Sequence, residues 1–114
     1  MTYRRPDRVG DLIKKEIASM LLHGEIKDPR IGFVTITRVR MSADLKTAKV
    51  YFSQLGSQED IRASAEGLTS AVPFIRRRLA RTLSLKHIPA VSFYYDESIE
   101  YASHIEKVIK EMKN

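Results

Sequence analysis

The stretch FVTITRVRMSADLKTAKVYFSQL, residues 33–55, contains two runs rich in β-branched and aromatic residues, separated by the polar connection SADLK. The runs Phe33–Met41 and Thr47–Leu55 are typical of strands. In the second run apolar and polar residues alternate, with Ala48, Val50 and Phe52 set against Lys49, Tyr51 and Ser53. This alternation predicts one buried and one wet face. The short connection favours a hairpin, around which the rest of the domain is built.

Helical patterns flank this hairpin on both sides. Apolar residues at helical spacing predict a helix over about 7–22, which ends before Gly24. Ser57 with Asp60 is a plausible N-cap of a helix over about 58–71. Beyond it we predict a third helix over 74 to about 83, a third strand over 91–96 and a last helix over about 97–112. The expected fold is α+β, in the order α-β-β-α-kink-α-β-α, with a three-stranded sheet packed against helices in one domain, 1–114.

Pro73 interrupts the helical pattern between the second and third helices. Proline lacks an N–H group, so it cannot continue a helix, and it biases Val72 away from the α region. It is tolerated in the first turn of a new helix. A break in the helical path is therefore predicted at Val72 and Pro73. The free N–H groups of the new helix would favour a phosphate, with the hydroxyl of Ser70 beside them, unless that hydroxyl caps its own backbone.

Composition excludes several classes of function. The 114 residues include no cysteine, which excludes disulfides and thiolate chemistry. No apolar run resembles a signal peptide or a membrane span, so we expect a soluble, unexported, cytoplasmic protein. The three histidines have no nucleophile or metal-binding spacing, and no glycine-rich phosphate loop is present. We expect no catalytic residue, no metal, no cofactor and no small-molecule substrate.

The net charge of +6 is concentrated in residues 73–92, which contain five basic residues and no acidic one. At about 100° per residue, Arg77, Arg78 and Arg81 fall opposite the apolar stripe of the third predicted helix. Arg76 lies beside that stripe, where it snorkels or pairs with a carboxylate. A solvated helix face is the ordinary interpretation of such a run. A face built for solubility, however, intersperses both signs of charge, so the uncompensated cluster indicates an anionic partner.

Further cations lie near the N-terminus and on the predicted strands. Arg4, Arg5 and Arg8 precede or occupy the first turn of the first helix, where cations oppose the helix dipole. They fit a flexible basic arm over residues 1–6 that reaches phosphate, or else a frayed, solvated terminus. The strand residues Arg38, Arg40, Lys49 and Tyr51 are weaker candidates, since helices are expected to cover much of the sheet. Tyr94 and Tyr95 are interpreted as core or edge residues.

Four motifs in series resemble the bacterial ribosome-binding factor A family: RRPDRV, DPRIGFVTITRVRMSADLKTAKVYFS, FIRRRL and IPAVSFYYDES. The resemblance implies a fold similar to type II K-homology domains and no catalytic activity. It also implies binding to the immature small (30S) ribosomal subunit and its 16S ribosomal RNA near the 5′-terminal helix. The implied role is late maturation and RNA processing, with a link to growth in the cold. Ala71, Val72 and Pro73 match the family's Ala-x-Gly kink, with proline in place of glycine.

The combined prediction is a monomeric, non-enzymatic RNA-binding protein whose partner is the small ribosomal subunit. The residues expected to contact RNA are Arg4, Arg5, Arg8, Ser70, Arg77, Arg78, Arg81 and Lys86. The alternative within the same class is a general single-stranded RNA-binding protein, which would need aromatic platforms. A peripheral membrane protein would need bulky apolar residues beside the arginines, and only Phe74 qualifies. We expect no membrane partner.

Overall fold

The computed structural model describes residues 3–98. Three helices and three strands follow one another in the predicted order, and the predicted hairpin is confirmed. Their bounds are α1 (Arg5–Leu22), β1 (Val34–Met41), β2 (Thr47–Gln54), α2 (Gln58–Ser70), α3 (Val72–Thr82) and β3 (Ala90–Tyr95). A helical turn begins at Glu97, and the remainder of the predicted last helix lies outside the described residues.

The sheet is mixed, with the strand order β1-β2-β3. β1 and β2 pair antiparallel, and β2 pairs parallel with β3. The parallel pair requires a long crossover, which α2 and α3 provide. In the tight β1–β2 connection, Leu45 has a φ of 63° and its N–H donates to the carbonyl of Ser42 at 2.9 Å.

All three described helices pack on one face of the sheet. Core-facing residues alternate with outward-facing ones along the strands, with one register shift between Ile36 and Arg38 in β1, and no described helix covers the outward face. A single cluster of buried side chains joins the helices to the sheet: Val9, Ile13, Ile17, Met20, Ile36, Ala48, Val50, Phe52, Leu68, Ile75 and Leu79. Fully burying an aliphatic side chain stabilises a fold by about 1.5–3 kcal/mol, so this cluster is the main stabilising element.

Gly10 lets α1 approach the sheet closely. A Cβ atom added at Gly10 would lie 2.9 Å from the carbonyl oxygen of Val39, which is backbone and cannot move aside. Because Val39 is near the end of β1, this contact also places the start of α1 at the end of the sheet that carries the β1–β2 connection. The close contact between Gly10 and Val39 therefore sets the position of the N-terminal arginines at the start of α1.

Two capping arrangements fix where other elements begin. The hydroxyl of Ser57 accepts the N–H of Asp60 at 3.1 Å, and the Asp60 carboxylate accepts the N–H of Ser57 at 3.0 Å, which confirms the predicted N-cap of α2. After β3, the buried carboxylate of Asp96 accepts hydrogen bonds from Ser98 and from Thr37 of β1. These hydrogen bonds lower the pKa of Asp96 from its ordinary value, and the one from the Ser98 side chain has the largest effect.

Candidate nucleic-acid interface

The outward face of α3 carries two unpaired arginines. Ile75 and Leu79 are fully buried, which anchors the opposite side of the helix to the core. Arg77 and Arg81 are exposed, and neither forms an ion pair or hydrogen bond within residues 3–98. The predicted direction of these two side chains is confirmed, and their guanidinium groups are available to an external anion.

Arg78 does not match the prediction. Its guanidinium is paired with the carboxylate of Glu25, in the loop after α1, and the side chain is only 26% exposed. It also lies over the ring of Phe74, with Cζ 5.8 Å from the ring centroid. The helical wheel missed this because α1 and α3 are in contact, and a sequence pattern does not reveal which loop a neighbouring helix brings alongside.

Arg76 is also positioned differently from the prediction. It pairs with no carboxylate within residues 3–98: Nε donates to the carbonyl of Pro89 at 3.1 Å, and Nη2 donates to that of Ile88 at 3.2 Å. These carbonyls belong to the segment that leads into β3. Arg76 therefore ties α3 to the start of the last strand, which is a structural role.

The kink between α2 and α3 consists of a single residue. Ala71 is both the C-cap of α2 and the N-cap of α3, with φ −83° and ψ −5°. α3 begins at Val72, so Val72 is helical despite the bias that a following proline imposes. Hydrogen bonds from the Ala71 N–H to Gly67 and from the Ile75 N–H to Ala71 hold the helical path on either side of the bend.

The surroundings of the kink are less favourable to phosphate than predicted. The hydroxyl of Ser70 accepts a hydrogen bond from Nη2 of Arg30 at 2.9 Å, and its own proton is the group that it can offer to a phosphate. A small cleft of about 240 Å³ at the kink is lined by Glu25 and Asp28 as well as Lys27, and both carboxylates are paired with arginines. Hydrogen bonds from Arg30 lower the pKa of Asp28 to about 2, so this carboxylate is charged at neutral pH.

The N-terminal arginines are exposed and lie at the start of α1. Because α1 begins at Arg5, only residues 1–4 of the predicted arm precede the helix. Arg4, Arg5 and Arg8 form no ion pair within residues 3–98, although the N–H of Arg4 donates to Asp7 at 3.3 Å. Tyr3 is tied to α1, since its hydroxyl donates to the carboxylate of Asp11 at 2.6 Å.

Lys86 lies at the same end of the domain as these arginines. The segment after Lys86 enters β3, where the N–H of Ala90 donates to the carbonyl of Lys46 beside the β1–β2 connection. Lys86 is exposed and has no ion pair in the part of the chain that the structure describes. The structure thus brings Lys86 to the end of the sheet where α1 begins, whereas Ser70 lies at the helix kink.

The strand cations, weak candidates because helices were expected to cover much of the sheet, are exposed. Arg38, Arg40 and Lys49 lie on the face of the sheet that the described helices leave open, and Tyr94 shares that face with 44% of its surface exposed. Tyr95 packs against the core, as predicted. The alternation in β2 already indicated a wet face. Tertiary packing decides which strands lie beside β2, and it places all three described helices on the opposite face of the sheet.

The described part of the chain has no feature of a metal centre or of a membrane-spanning segment. Among residues 3–98, no group of three or more histidine, aspartate or glutamate side chains is arranged to hold a metal ion. No helix in that range is long and apolar enough to cross a membrane. The chemical groups that stand out are therefore the unpaired cations described above.

These features define a small, basic α+β protein with one helix-covered sheet and a surface suited to a polyanion. The sequence model of the family described as "Ribosome-binding factor A" matches residues 5–109. The chain therefore belongs to the ribosome-binding factor A family. It is 47% identical, over 109 residues, to ribosome-binding factor A of Citrifermentans bemidjiense, with 96% of this chain and 91% of the relative covered.

Solved structures have the same fold. The solution NMR structure of a Thermotoga maritima protein assigned as a ribosome-binding factor A superimposes with a TM-score of 0.73 and 33% identity, covering 82% of this chain and 89% of that one. A second match is a homology model of Thermus thermophilus ribosome-binding factor A, as fitted into the cryo-EM map of a complex with the 30S subunit. Its TM-score is 0.63 at 23% identity, with 77% of this chain and 91% of that chain covered.

Proposed function

We propose that this protein binds the small ribosomal subunit as a non-catalytic maturation factor and that α3 is its principal RNA contact. Family membership supports the ribosomal partner, and the Thermus relative of the same fold is described in a complex with the 30S subunit. The observation that carries the choice of surface is the pair Arg77 and Arg81, which are exposed and unpaired on the outward side of an anchored helix.

The proposed fold class is a type II K-homology-like domain. The order of helices and strands supports this class, with Ala71 as the bend between the two crossover helices. The sequence contains no Gly-x-x-Gly loop to clamp an RNA backbone. Side-chain guanidinium groups beyond the bend would replace that backbone clamp.

Binding would depend on phosphate contacts more than on base reading. Arginine pairs with phosphate through two parallel hydrogen bonds, and such contacts fix orientation without reading sequence. Arg4, Arg5, Arg8 and Lys86 would extend the contact beyond α3. Arg78 would join only by leaving Glu25, and Ser70 would contribute no more than its hydroxyl proton. A protein held in this way stabilises the RNA conformation that it fits, which is a population shift.

The finer role follows from the family resemblance. The RNA would be 16S ribosomal RNA near its 5′-terminal helix, and the protein would act late in subunit maturation and RNA processing, as a cytoplasmic monomer with a role in cold adaptation. The alternative is a general single-stranded RNA-binding protein. Competition between immature subunits and unstructured RNA for the same protein separates the two functions.

The salt dependence of binding to immature small subunits tests the proposed contact face. Each phosphate contact contributes about −0.7 to −0.9 to the slope of log K against log salt. The Arg77→Ala/Arg81→Ala variant should therefore reduce the magnitude of the slope by about 1.5, with little change in thermal stability. Lys15→Ala/Arg62→Ala is the matched control, because both side chains are exposed and unpaired within residues 3–98. An equal effect of both double variants would reject α3 as the specific contact face.

A further inference from the structure

The face of the sheet opposite the helices carries an ordered set of aromatic and cationic side chains. The pairing registers align Arg38, Tyr51 and Tyr94 in one row across the three strands. The next row consists of Arg40, Lys49 and Ser92. None of these residues belongs to the α3 surface, which lies on the helix-covered side of the sheet.

The first row forms a continuous stacking surface. The rings of Tyr51 and Tyr94 have centroids 5.7 Å apart and planes inclined by 33°. Arg38 stacks on Tyr51, with Cζ 4.3 Å from the ring centroid, and Nζ of Lys49 lies 6.0 Å from that of Tyr94. The Arg38 guanidinium and the half-exposed ring of Tyr94 are two flat groups of the kind on which a nucleobase stacks.

The cations on this face are poorly neutralised. The only carboxylate paired with them within residues 3–98 is that of Asp96, 3.7 Å from Nε of Arg38. Asp96 is buried and already accepts hydrogen bonds from Thr37 and Ser98. Arg40 and Lys49 are exposed and have no ion pair in the described part of the chain. The row beside the rings is therefore positively charged.

We propose that this open sheet face is a second nucleic-acid site, which binds a short single-stranded RNA segment. Bases would stack on Tyr94 and on the Arg38 guanidinium, and the phosphates between them would meet Arg40 and Lys49. The proposal deepens the proposed function, since it gives the protein two RNA contacts on opposite sides of one sheet. The domain would then be held between an RNA backbone at α3 and an unpaired strand at the sheet.

Charge and chemistry select this occupant over others. A double-stranded RNA helix offers phosphates but keeps its bases stacked, so it would leave the tyrosines unused. A membrane surface would require bulky apolar groups beside the cations, and the central positions of this face hold tyrosines instead. An acidic protein segment matches the charge but has no flat groups to match the rings. Single-stranded RNA supplies both.

The test uses the full chain and an oligouridylate of about ten nucleotides as the single-stranded probe. Loss of one stacked base weakens binding by roughly fivefold to a hundredfold. Tyr94→Leu is therefore expected to weaken binding within this range, whereas Tyr94→Phe, which keeps the ring, retains it. Tyr3→Leu is the control, because Tyr3 is exposed on the helix side and bonded to Asp11. Lys49→Gln is a milder second variant, expected to reduce the salt dependence of binding and to keep the fold.

Several outcomes would overturn the proposal. The first is an unchanged oligouridylate affinity in both Tyr94→Leu and Lys49→Gln. The second is an equal dependence on the tyrosine when the probe is a duplex of the same length. The third is an equal dependence on the tyrosine when the probe is polyglutamate, which would indicate a protein partner. Failure of the proposed function is distinguishable. In that case the Arg77→Ala/Arg81→Ala variant and the wild type would both fail to bind subunits specifically, while the effect of Tyr94→Leu on oligouridylate would persist.

Discussion

The guanidinium of Arg78 in α3 is paired with the carboxylate of Glu25 in the loop after α1. The pair joins the first and third helices at the edge of the proposed RNA surface and removes one of three arginines from it. Both partners are about one-quarter to one-third exposed, at 26% and 32%. A pair exposed to this degree contributes modestly to stability, about 1 kcal/mol or less, because solvent screens it.

Replacing Glu25 should release Arg78 for RNA. We expect Glu25→Gln to steepen the salt dependence of subunit binding by about 0.7–0.9 in slope, since one more phosphate can be neutralised. The measurement is a titration of immature subunits at several salt concentrations. Glu16→Gln is the control, because it removes the same charge from α1 without a paired arginine within residues 3–98. An identical slope for Glu25→Gln and the wild type would mean that Arg78 stays outside the interface.

Arg76 and Arg77 are neighbours with different predicted roles. Arg76→Ala should lower the free energy of unfolding by about 1–2 kcal/mol, because the carbonyls of Ile88 and Pro89 lose a charged donor. Arg77→Ala should leave the unfolding free energy nearly unchanged and weaken RNA binding instead. Urea denaturation and subunit binding, measured on both variants, check this division. It would be contradicted if Arg76→Ala flattened the salt slope without any loss of stability.

Gly10→Ala should destabilise the protein, against the usual trend for a helix interior. Glycine to alanine in a helix normally gains about 0.5–1 kcal/mol. Here the added Cβ would lie 2.9 Å from the carbonyl oxygen of Val39, so α1 must move from the sheet. We expect a net loss of about 1–3 kcal/mol, measured by thermal or urea unfolding. Thr69→Ala, at an exposed position of α2, is the comparison and should not lose stability.

The ion pair between Asp28 and Arg30 predicts a specific dependence of stability on pH. The pKa of Asp28 is about 2 in the folded protein, below its ordinary value of 3.8, chiefly because Arg30 donates hydrogen bonds to its carboxylate. A depressed folded pKa gives stability that is present above the unfolded pKa and is lost as pH falls towards the folded one. Asp28→Asn should therefore be less stable than the wild type at neutral pH.

The difference between these two proteins should shrink from about pH 4 down to about pH 2. Urea midpoints of both proteins across this range provide the measurement. The pKa values of Asp44 and Asp96 are lowered in the same direction, so both proteins will lose stability in acid. Only the difference between them reports on Asp28. A difference that stays constant with pH would show that the Asp28 carboxylate makes no specific contribution.

The sequence predicted most of the fold because its strongest signals are local. Alternation in β2 and helical spacing in α1 and α3 depend on neighbours along the chain, and Ser57 with Asp60 forms a cap within one turn. The break ahead of α3 was predicted from Pro73 alone, although α3 begins at Val72, two residues before the predicted start at 74. In each case the backbone within a few residues determines the outcome.

The partition of the arginines was decided by tertiary structure. Sequence periodicity gave the direction in which Arg77 and Arg81 point, since a helix with one buried stripe has only one outward side. It did not reveal that Glu25 faces Arg78, that Pro89 lies beside Arg76, or that the described helices all cover the same face of the sheet. Those contacts join residues far apart in the chain, and their geometry exists only once the core has packed.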